Sequence, residues 1–293
     1  MTSFAIIGFG EVGGIFARDL RAGGASAINA FDVADAARER ARAFGATVHA
    51  SAAEAAAGAD VVFVCVTAGS ALAAAESLAG GLSRAPFVVD VNSVSPSTKQ
   101  ANGRAVAAHG GRYVEAAVMA SVPPKGLRSP ILLGGPDAQG FMDLMAPFGM
   151  DLKIYSPEIG RASAVKMCRS VMVKGLEALT TECMLAARHY GVEEDVLRSL
   201  SDTLPHENWR NLARYVMSRA LIHGKRRAEE MREVARTVEE AGVAPLLSAP
   251  IAERQDWAAA RGREMGPEQL ATTDLDALLD GLTAAMHHKQ AAE

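Results

Sequence analysis

Three glycines near the N-terminus have the spacing of a loop that binds a phosphate group. The segment reads Gly8-Phe9-Gly10-Glu11-Val12-Gly13, after an apolar run and before a helical pattern. In this spacing the first glycine allows a tight turn, the second lets the backbone approach a pyrophosphate, and the third lets a helix pack closely on a strand. The dipole at the helix N-terminus favours the phosphates. We therefore expect a dinucleotide to contact Gly8, Gly10, Glu11, Val12 and Gly13.

Asp32 ends the second apolar run and lies 19 residues after Gly13, where a ribose-binding carboxylate is expected. Its carboxylate would accept hydrogen bonds from a free 2′-hydroxyl and would repel a 2′-phosphate. This predicts NAD as the cofactor, while Arg38 and Arg40, which could reach back, keep NADP open as the second choice. The alternative is structural: the glycines shape a turn and Asp32 caps the next helix.

Lys166, Ser170 and Lys174 lie at positions i, i+4 and i+8 of a long helical pattern, so they form one stripe. A lysine whose pKa is lowered by burial can take the hydroxyl proton of an alcohol and return it. From the spacing alone, an ordinary surface lysine is the better interpretation of Lys166. We interpret Lys174 as a solvated or interface residue.

Polar residues follow another apolar run, at Asn92 and Ser93. They could contact a substrate, or they could cap the helix that begins near Pro96. A basic cluster lies much later in the chain and could bind an anionic group, although a solvated helix face is the better interpretation. Its members are His223, Lys225, Arg226 and Arg227.

Short apolar runs alternate with helical patterns through the first half of the chain, which is typical of a parallel sheet with crossover helices. The predicted strands are Phe4 to Gly8, Ile28 to Asp32, Val61 to Val66, Phe87 to Val91, Tyr113 to Val118, Ile131 to Gly134 and Leu152 to Tyr155. From Gly160 onward only helices are predicted, at Gly160 to Tyr190, Glu193 to Ser201, Trp209 to Gly224, Lys225 to Ala241 and Thr273 to His287. The prediction is an α/β fold, a doubly wound Rossmann domain over residues 1–158, followed by an all-helical domain over residues 159–293.

Composition narrows the class of partner. The chain has 293 residues and a net charge of -4, which gives no reason to expect nucleic acid or an anionic membrane. Its three cysteines, Cys65, Cys168 and Cys183, are far apart, so neither disulfides nor a metal site are expected. The chain starts directly in a strand-like run and has no long apolar stretch, so a cytoplasmic protein acting on a small molecule is expected.

With these elements in place, the chain resembles the β-hydroxyacid dehydrogenase family, which includes 3-hydroxyisobutyrate and 6-phosphogluconate dehydrogenases. The family's Asp-x-Ser/Asn-Thr/Ser segment corresponds to Asp90-Val91-Asn92-Ser93. The resemblance implies that this loop lies beside nicotinamide and substrate. We also assign Val66 and Thr67 to the cofactor site.

Two further segments resemble the family with changes. The substrate segment Asp-Ala-Pro-Val-Ser-Gly-Gly corresponds to Glu115-Ala116-Ala117-Val118-Met119-Ala120-Ser121. Substrate contacts are thus expected at Met119, Ala120 and Ser121, and Met119 suggests a bulkier or less polar substrate. The catalytic stretch Gly-x-Gly-x-x-x-Lys-x-x-x-Asn corresponds to residues 160–170, with Lys166 retained and Ser170 in the asparagine position.

The resemblance implies an oxidoreductase that interconverts a β-hydroxyacid and its keto form, with Lys166 as general acid and base. Imine reduction on the same scaffold is an alternative, against which the retained Lys166 argues. A dinucleotide sensor without turnover is another, because the substrate segment is altered. The helical half lacks a sequence signal for a core of its own, and the family resemblance implies a homodimer with interdigitated C-terminal helices.

Overall fold

The computed structural model describes residues 2–204 and 206–287, except for the side chains of Glu182 and His287. The chain divides into two compact units, Met1–Cys168 and Arg169–Glu293. The predicted division after residue 158 follows the last strand, whereas the first unit also includes the start of the next helix. The assignment of a dinucleotide-binding domain to residues 1–158 and of a substrate and dimerisation domain to residues 159–293 remains a prediction.

The strands of the first unit form one eight-stranded sheet over the described residues, in the order β3-β2-β1-β4-β5-β6-β7-β8. All neighbours are parallel except β6 and β7. The strands are β1 Ser3–Ile7, β2 Ala27–Phe31, β3 Thr47–Val48, β4 Val61–Val64, β5 Phe87–Asp90, β6 Arg112–Val118, β7 Ile131–Gly134 and β8 Leu152–Ser156. The predicted Rossmann sheet is confirmed, and only the two-residue β3 had too little pattern to be predicted.

Helices cover both faces of this sheet, so alternate residues of a strand enter different cores. Phe4 and Ile6 pack in one core, while Ala5 and Ile7 pack in the other. This explains why β4 is apolar throughout and why β5 is apolar up to its last residue, Asp90, as expected of buried parallel strands. The helices of this unit are α1 Glu11–Ala22, α2 Asp35–Phe44, α3 Ala52–Ala56, α4 Ala71–Glu76, α5 Pro96–Ala108, α6 Val122–Lys125 and α7 Ala138–Met145.

The rest of the described chain is helical, as predicted. Its helices are α8 Arg161–Tyr190, which begins in the first unit, α9 Glu193–Thr203, α10 Trp209–Glu240, α11 Ser248–Glu264, α12 Pro267–Ala271 and α13 Leu275–His287. The predicted break after Gly224 is wrong, because α10 runs through it. Neither α11 nor α12 was predicted. Within the described residues, no helix has the length and apolar character needed to cross a membrane.

The second unit has a hydrophobic core of its own, although its sequence carries no clear signal for one. Met184, Met217, Leu221, Leu278 and Leu282 are among its buried members. The sequence signal was weak because these residues come from several helices, and each helix also carries many alanines and charges.

Helices α10 and α11 cross at two glycines. A Cβ atom added to Gly224 would lie 2.3 Å from the carbonyl oxygen of Gln255, and one added to Gly262 would lie 2.4 Å from that of Leu221. Each glycine therefore lets its helix approach the backbone of the other. This close contact explains why Gly224 is tolerated inside a helix, where glycine is otherwise unfavourable.

We predict that Gly224→Ala and Gly262→Ala each lower the free energy of unfolding by about 1–3 kcal/mol, because the added methyl group forces the two backbones apart. Gly175→Ala in α8 is the matched control, since its nearest contact is 3.5 Å away at the end of the Ile251 side chain. The control should be neutral or stabilising, as alanine favours helix. Urea unfolding of the three variants checks this, and equal stabilities would contradict it.

Candidate active site

The glycine loop joins β1 to α1 and has the shape expected from its spacing. Gly8 has φ +93°, a conformation that favours glycine, and a Cβ atom on Gly13 would lie 2.0 Å from the Gly8 carbonyl oxygen. No heavy atom lies within 4 Å of the position a Cβ atom would take on Gly10. Gly10 is also the N-cap of α1, without a side-chain capping bond. The first turn of α1, with Glu11 and Val12, therefore offers its amides to an anion.

Asp32 follows β2 and lies against this loop. Its Oδ2 accepts a hydrogen bond from the Phe9 amide at 2.7 Å, and its Oδ1 accepts one from the Ala34 amide at 2.8 Å. A carboxylate oxygen can accept more than one hydrogen bond, so capacity for a ribose hydroxyl remains. Asp32 does not cap α2, whose N-cap is Ala34.

Arg38 and Arg40 both contact the backbone near Asp32 and the glycine loop. The Arg38 guanidinium donates to the carbonyl oxygens of Asp32 and Val33 at 2.8 and 3.0 Å, and it pairs with Asp35. Arg40 donates to the carbonyl oxygen of Phe9 at 3.3 Å. Positive charge therefore lies beside the backbone of Phe9, Asp32 and Val33.

Asn92 ties two loops together at the carboxyl ends of β4 and β5. Its Oδ1 accepts a hydrogen bond from the Val66 amide at 2.8 Å. Its Nδ2 is buried and has no hydrogen-bond partner among the described residues, which leaves one donor pair for a ligand. Neither Asn92 nor half-buried Ser93 caps the next helix, because the Ser95 side chain accepts from the Thr98 amide at the start of α5.

A buried charged cluster lies under this loop. The Asp90 carboxylate, which is 2% exposed, is 3.0 Å from Lys99 Nζ and accepts hydrogen bonds from Asn102, the Tyr113 hydroxyl and the Asn92 amide. Burial alone would raise the pKa of Asp90, but the Lys99 ammonium and these hydrogen bonds lower it below its usual value. The same burial and the Asp90 charge raise the pKa of Tyr113, so its hydroxyl stays a donor. Asp90 thus fixes the backbone of Asn92 through the hydrogen bond from the Asn92 amide.

Glu115 performs the corresponding task on the neighbouring strand. It pairs in register with Asp90 between β5 and β6, and it is fully buried. Its two carboxylate oxygens accept hydrogen bonds from the amides of Gly160 and Ser163, at 2.7 and 2.5 Å. A carboxylate is stabilised at a helix N-terminus, so Glu115 holds the start of α8 against the sheet. Half-buried Lys166 lies three residues after Ser163 on that helix.

The remaining predicted contacts of the first unit lie in loops after strands. Exposed Thr67 follows β4 and is hydrogen-bonded to Ser70. Met119 follows β6 and its amide donates to the Pro130 carbonyl oxygen at 2.8 Å, while Ala120 and Ser121 are exposed. These two loops follow β4 and β6, which are separated in the sheet by β5, the strand that precedes Asn92.

Ser170 and Lys174 lie in the second unit, and both are buried. Lys174 Nζ donates to Ser170 Oγ at 3.1 Å and is 2.9 Å from Glu230 Oε2 on α10. The interpretation of Lys174 as a solvated residue is wrong, because the ion pair with Glu230 lets its ammonium group be buried.

The predicted basic cluster is only partly a solvated face. Lys225 and Arg226 are exposed, but Arg227 is buried and lies 2.7 Å from Glu177. Burial and the nearby Arg219, Arg226 and Arg227 lower the pKa of His223 to about 4. His223 is therefore neutral at pH 7 and contributes no charge to the cluster.

Comparison with protein families identifies both units. Residues 3–141 match the model of the NAD binding domain of 6-phosphogluconate dehydrogenase, and residues 187–258 match a domain of unknown function, DUF1932. A solved structure of a conserved hypothetical protein from Sinorhizobium meliloti is 36% identical, covers 97% of each chain and has a TM-score of 0.69. A conserved protein of unknown function, described as structurally similar to 3-hydroxyacid dehydrogenases, is 33% identical over 89% of this chain and 98% of its own, with a TM-score of 0.69.

The chain belongs to the β-hydroxyacid dehydrogenase family. The 3-hydroxyisobutyrate dehydrogenase of Mycobacterium tuberculosis shares the fold, with a TM-score of 0.69 and 18% identity over 96% of this chain and 99% of that one. In the present chain, the first unit is an NAD(P)-binding domain. The open space at Gly10, the uncapped amides of α1 and the unpartnered Nδ2 of Asn92 fit such a dinucleotide.

The residues that support the loops could not be predicted from the sequence. Lys99 and Tyr113 contact Asp90, and Glu230 pairs with Lys174, but none of them was selected. The one available signal was a carboxylate within a largely apolar strand pattern, at the end of β5 for Asp90 and in the middle of β6 for Glu115. The partner of such a residue lies far away in sequence and cannot be read from spacing.

We predict that Lys99→Met lowers the free energy of unfolding by about 3–5 kcal/mol, because it leaves the Asp90 carboxylate buried without its cation. The double variant Asp90→Asn/Lys99→Met removes both charges and keeps a side chain that can bond Asn102 and Tyr113. It should be clearly more stable than Lys99→Met in urea unfolding. A double variant that is less stable than the single one would show that the pair is not the source of the loss.

Proposed function

We propose that this protein is a cytoplasmic, NAD(P)-dependent oxidoreductase that interconverts a β-hydroxyacid, or a related alcohol, and its keto or aldehyde form. One observation carries the proposal: Asp90 and Glu115 are paired neighbours on β5 and β6, and they support the Asn92 loop and the helix start that precedes Lys166. The family's catalytic lysine corresponds to Lys166, and the dinucleotide loop belongs to the same compact unit.

A bound nicotinamide would supply the hydride acceptor for oxidation of the alcohol and the hydride donor for the reverse reaction. In oxidation, neutral Lys166 takes the hydroxyl proton at Nζ as the C–H bond breaks and the C=O bond forms. In reduction, the Lys166 ammonium group gives that proton to the new alkoxide oxygen. The lysine is thus an amine before oxidation and an ammonium group after it, which balances the charge.

Other side chains bind and orient the substrate in this proposal. The Asn92 Nδ2 group, which has no hydrogen-bond partner among the described residues, and the Ser93 hydroxyl donate to the nicotinamide carboxamide or to a substrate oxygen. Ser170 bonds the substrate in the position of the family's asparagine. Met119, Ala120 and Ser121 line the substrate site, where Met119 favours a substrate that is larger or less polar than the family's small hydroxyacids.

Two rival functions make different predictions in one screen. Hydroxyacids and aldehydes are tested by the absorbance of the reduced nicotinamide, with and without a primary amine. Turnover of a hydroxyacid supports the proposed dehydrogenase, while turnover that requires the amine supports an imine reductase. Dinucleotide binding without turnover on any of these compounds supports a non-catalytic sensor.

We predict a preference for NADH over NADPH, because the Asp32 carboxylate repels a 2′-phosphate. Dissociation constants from nicotinamide fluorescence, and catalytic efficiencies once a substrate is found, should both favour NADH. Asp32→Ser should reduce the preference, since it removes the negative charge and leaves Arg38 and Arg40 in place. Equal or reversed preference in the wild-type protein would contradict the assigned role of Asp32.

We predict that Lys166→Met lowers kcat by at least about 100-fold, because general acid–base groups contribute about 10²- to 10⁴-fold. Methionine keeps the length and helix propensity of lysine, so folding and NADH binding should persist. Steady-state kinetics with chemistry shown to be rate-limiting, together with NADH titration, checks this. Retention of more than about a tenth of kcat would assign proton transfer to another group.

We propose a homodimer that is formed by the helical unit. Apolar side chains at i, i+4 and i+7 of α8 are exposed: Met172 by 66%, Leu176 by 42% and Leu179 by 66%. Light scattering at micromolar concentration should give twice the chain mass of 30.7 kDa. Met172→Glu/Leu179→Glu should shift the protein toward the monomer, whereas Leu72→Glu on α4 should not. A wild-type monomer would rule the dimer out.

A further inference from the structure

A buried ion pair in the second unit holds the hydroxyl group of Ser170. Lys174 Nζ lies 3.1 Å from Ser170 Oγ and 2.9 Å from Glu230 Oε2. Ser170, Lys174 and Glu230 are only 7%, 6% and 8% exposed. The other carboxylate oxygen of Glu230 accepts a hydrogen bond from Arg226, which lies one turn earlier on the same helix and so holds Glu230 in place. The three side chains form a chain of contacts with little freedom to rearrange.

This arrangement fixes the direction of the hydrogen bond at Ser170. As the partner of a carboxylate, Lys174 is an ammonium group, which donates hydrogen bonds and cannot accept them. Ser170 Oγ must therefore be the acceptor in this contact. A hydroxyl group has one proton, so the O–H of Ser170 points away from Lys174 and is available to another acceptor.

Other helical hydroxyls of the second unit use that proton differently. Thr181, Ser201 and Thr237 each donate to the carbonyl oxygen four residues earlier, at 2.7, 3.1 and 2.8 Å. This back-bonding is the usual fate of a serine or threonine inside a helix. Among the residues that the structure describes, Ser170 donates to none. Its proton is thus unused at a position that is more than nine-tenths buried.

We propose that Lys174, held by Glu230, is a positioning residue that makes Ser170 a dedicated hydrogen-bond donor to an acceptor oxygen of the substrate. This inference rests on the proposed function, in which Ser170 contacts the substrate. A carboxylate or carbonyl oxygen satisfies the Ser170 proton, whereas an ammonium or iminium group does not. The pair thereby selects oxygen substrates over amines.

The test uses the full-length protein in the presence of NADH. Ser170→Ala removes the donor, and Lys174→Met/Glu230→Gln removes both charges of the pair, which avoids an unpaired buried carboxylate. The triple variant combines them. The matched control is Arg227→Met/Glu177→Gln, which removes another buried ion pair of this unit that does not touch Ser170. Titration calorimetry measures the binding of 3-hydroxyisobutyrate and of 3-amino-2-methylpropan-1-ol, in which a protonated aminomethyl group replaces the carboxylate.

We expect Ser170→Ala to weaken binding of 3-hydroxyisobutyrate by about 10- to 100-fold, the usual effect of losing a hydrogen bond to a charged acceptor. Removing the Lys174–Glu230 pair should weaken it by a similar factor, and the triple variant should be no weaker than Ser170→Ala. Such non-additivity is expected only if the pair acts through Ser170. The Arg227–Glu177 variant should show an additive effect with Ser170→Ala, and the aminoalcohol should bind poorly to every variant.

Losses that add in the triple variant, or wild-type binding of the aminoalcohol as tight as that of the hydroxyacid, would overturn the positioning role. Thermal unfolding and NADH titration of each variant separate this result from misfolding, and Ser170→Thr should restore binding because it restores the hydroxyl group. No binding of 3-hydroxyisobutyrate to the wild-type protein would also overturn the inference. Turnover of another hydroxyacid would then leave the proposed dehydrogenase function standing.

Discussion

Two buried carboxylates at neighbouring positions of the sheet are the constraint on which the first unit depends. Asp90 and Glu115 are paired between β5 and β6, and each must find partners without water. Asp90 is neutralised by Lys99, whereas Glu115 uses the amides at the start of α8. Because the Lys99 ammonium compensates one charge and the amides at a helix N-terminus compensate the other, two carboxylates can lie side by side. Each carboxylate in turn fixes one element of the candidate site, the Asn92 loop for Asp90 and the first turn of α8 for Glu115.

The second unit repeats this use of buried charge. Lys174 with Glu230 and Arg227 with Glu177 link α8 to α10 through ion pairs. Burial raises the pKa of Glu177, and Arg227 and Lys174 offset part of that rise. Buried ion pairs are weak contributors to stability but are demanding in geometry. They suit a helix that must present particular side chains, and Ser170 lies within reach of one of them.

The Rossmann sheet could be predicted because its strands are largely apolar and its glycine loop follows a fixed spacing. The shape of the glycine loop could be predicted as well, since Gly8, Gly10 and Gly13 are close in sequence, whereas the contacts of these residues and Asp32 with a dinucleotide remain predictions. The helical unit was less predictable: α11 has an apolar pattern diluted by alanine and charge, and Gly224 was read as a helix end although it serves a helix crossing. Lys174 was misread because its partner Glu230 is 56 residues away. The roles of Lys166, Ser170 and the Met119 segment came from the family resemblance and remain predictions.

The crossing of α10 and α11 also has a consequence for recognising this unit in other chains. Because a carbonyl oxygen occupies the space beside Gly224 and beside Gly262, the two positions, 38 residues apart, have no room for any side chain. The residues around them can vary with the core and the surface. Distant relatives that keep this helix pairing should therefore carry two helical glycines at that separation, in the helical part that follows the dinucleotide loop. The glycine pair distinguishes them from relatives whose helices pack differently.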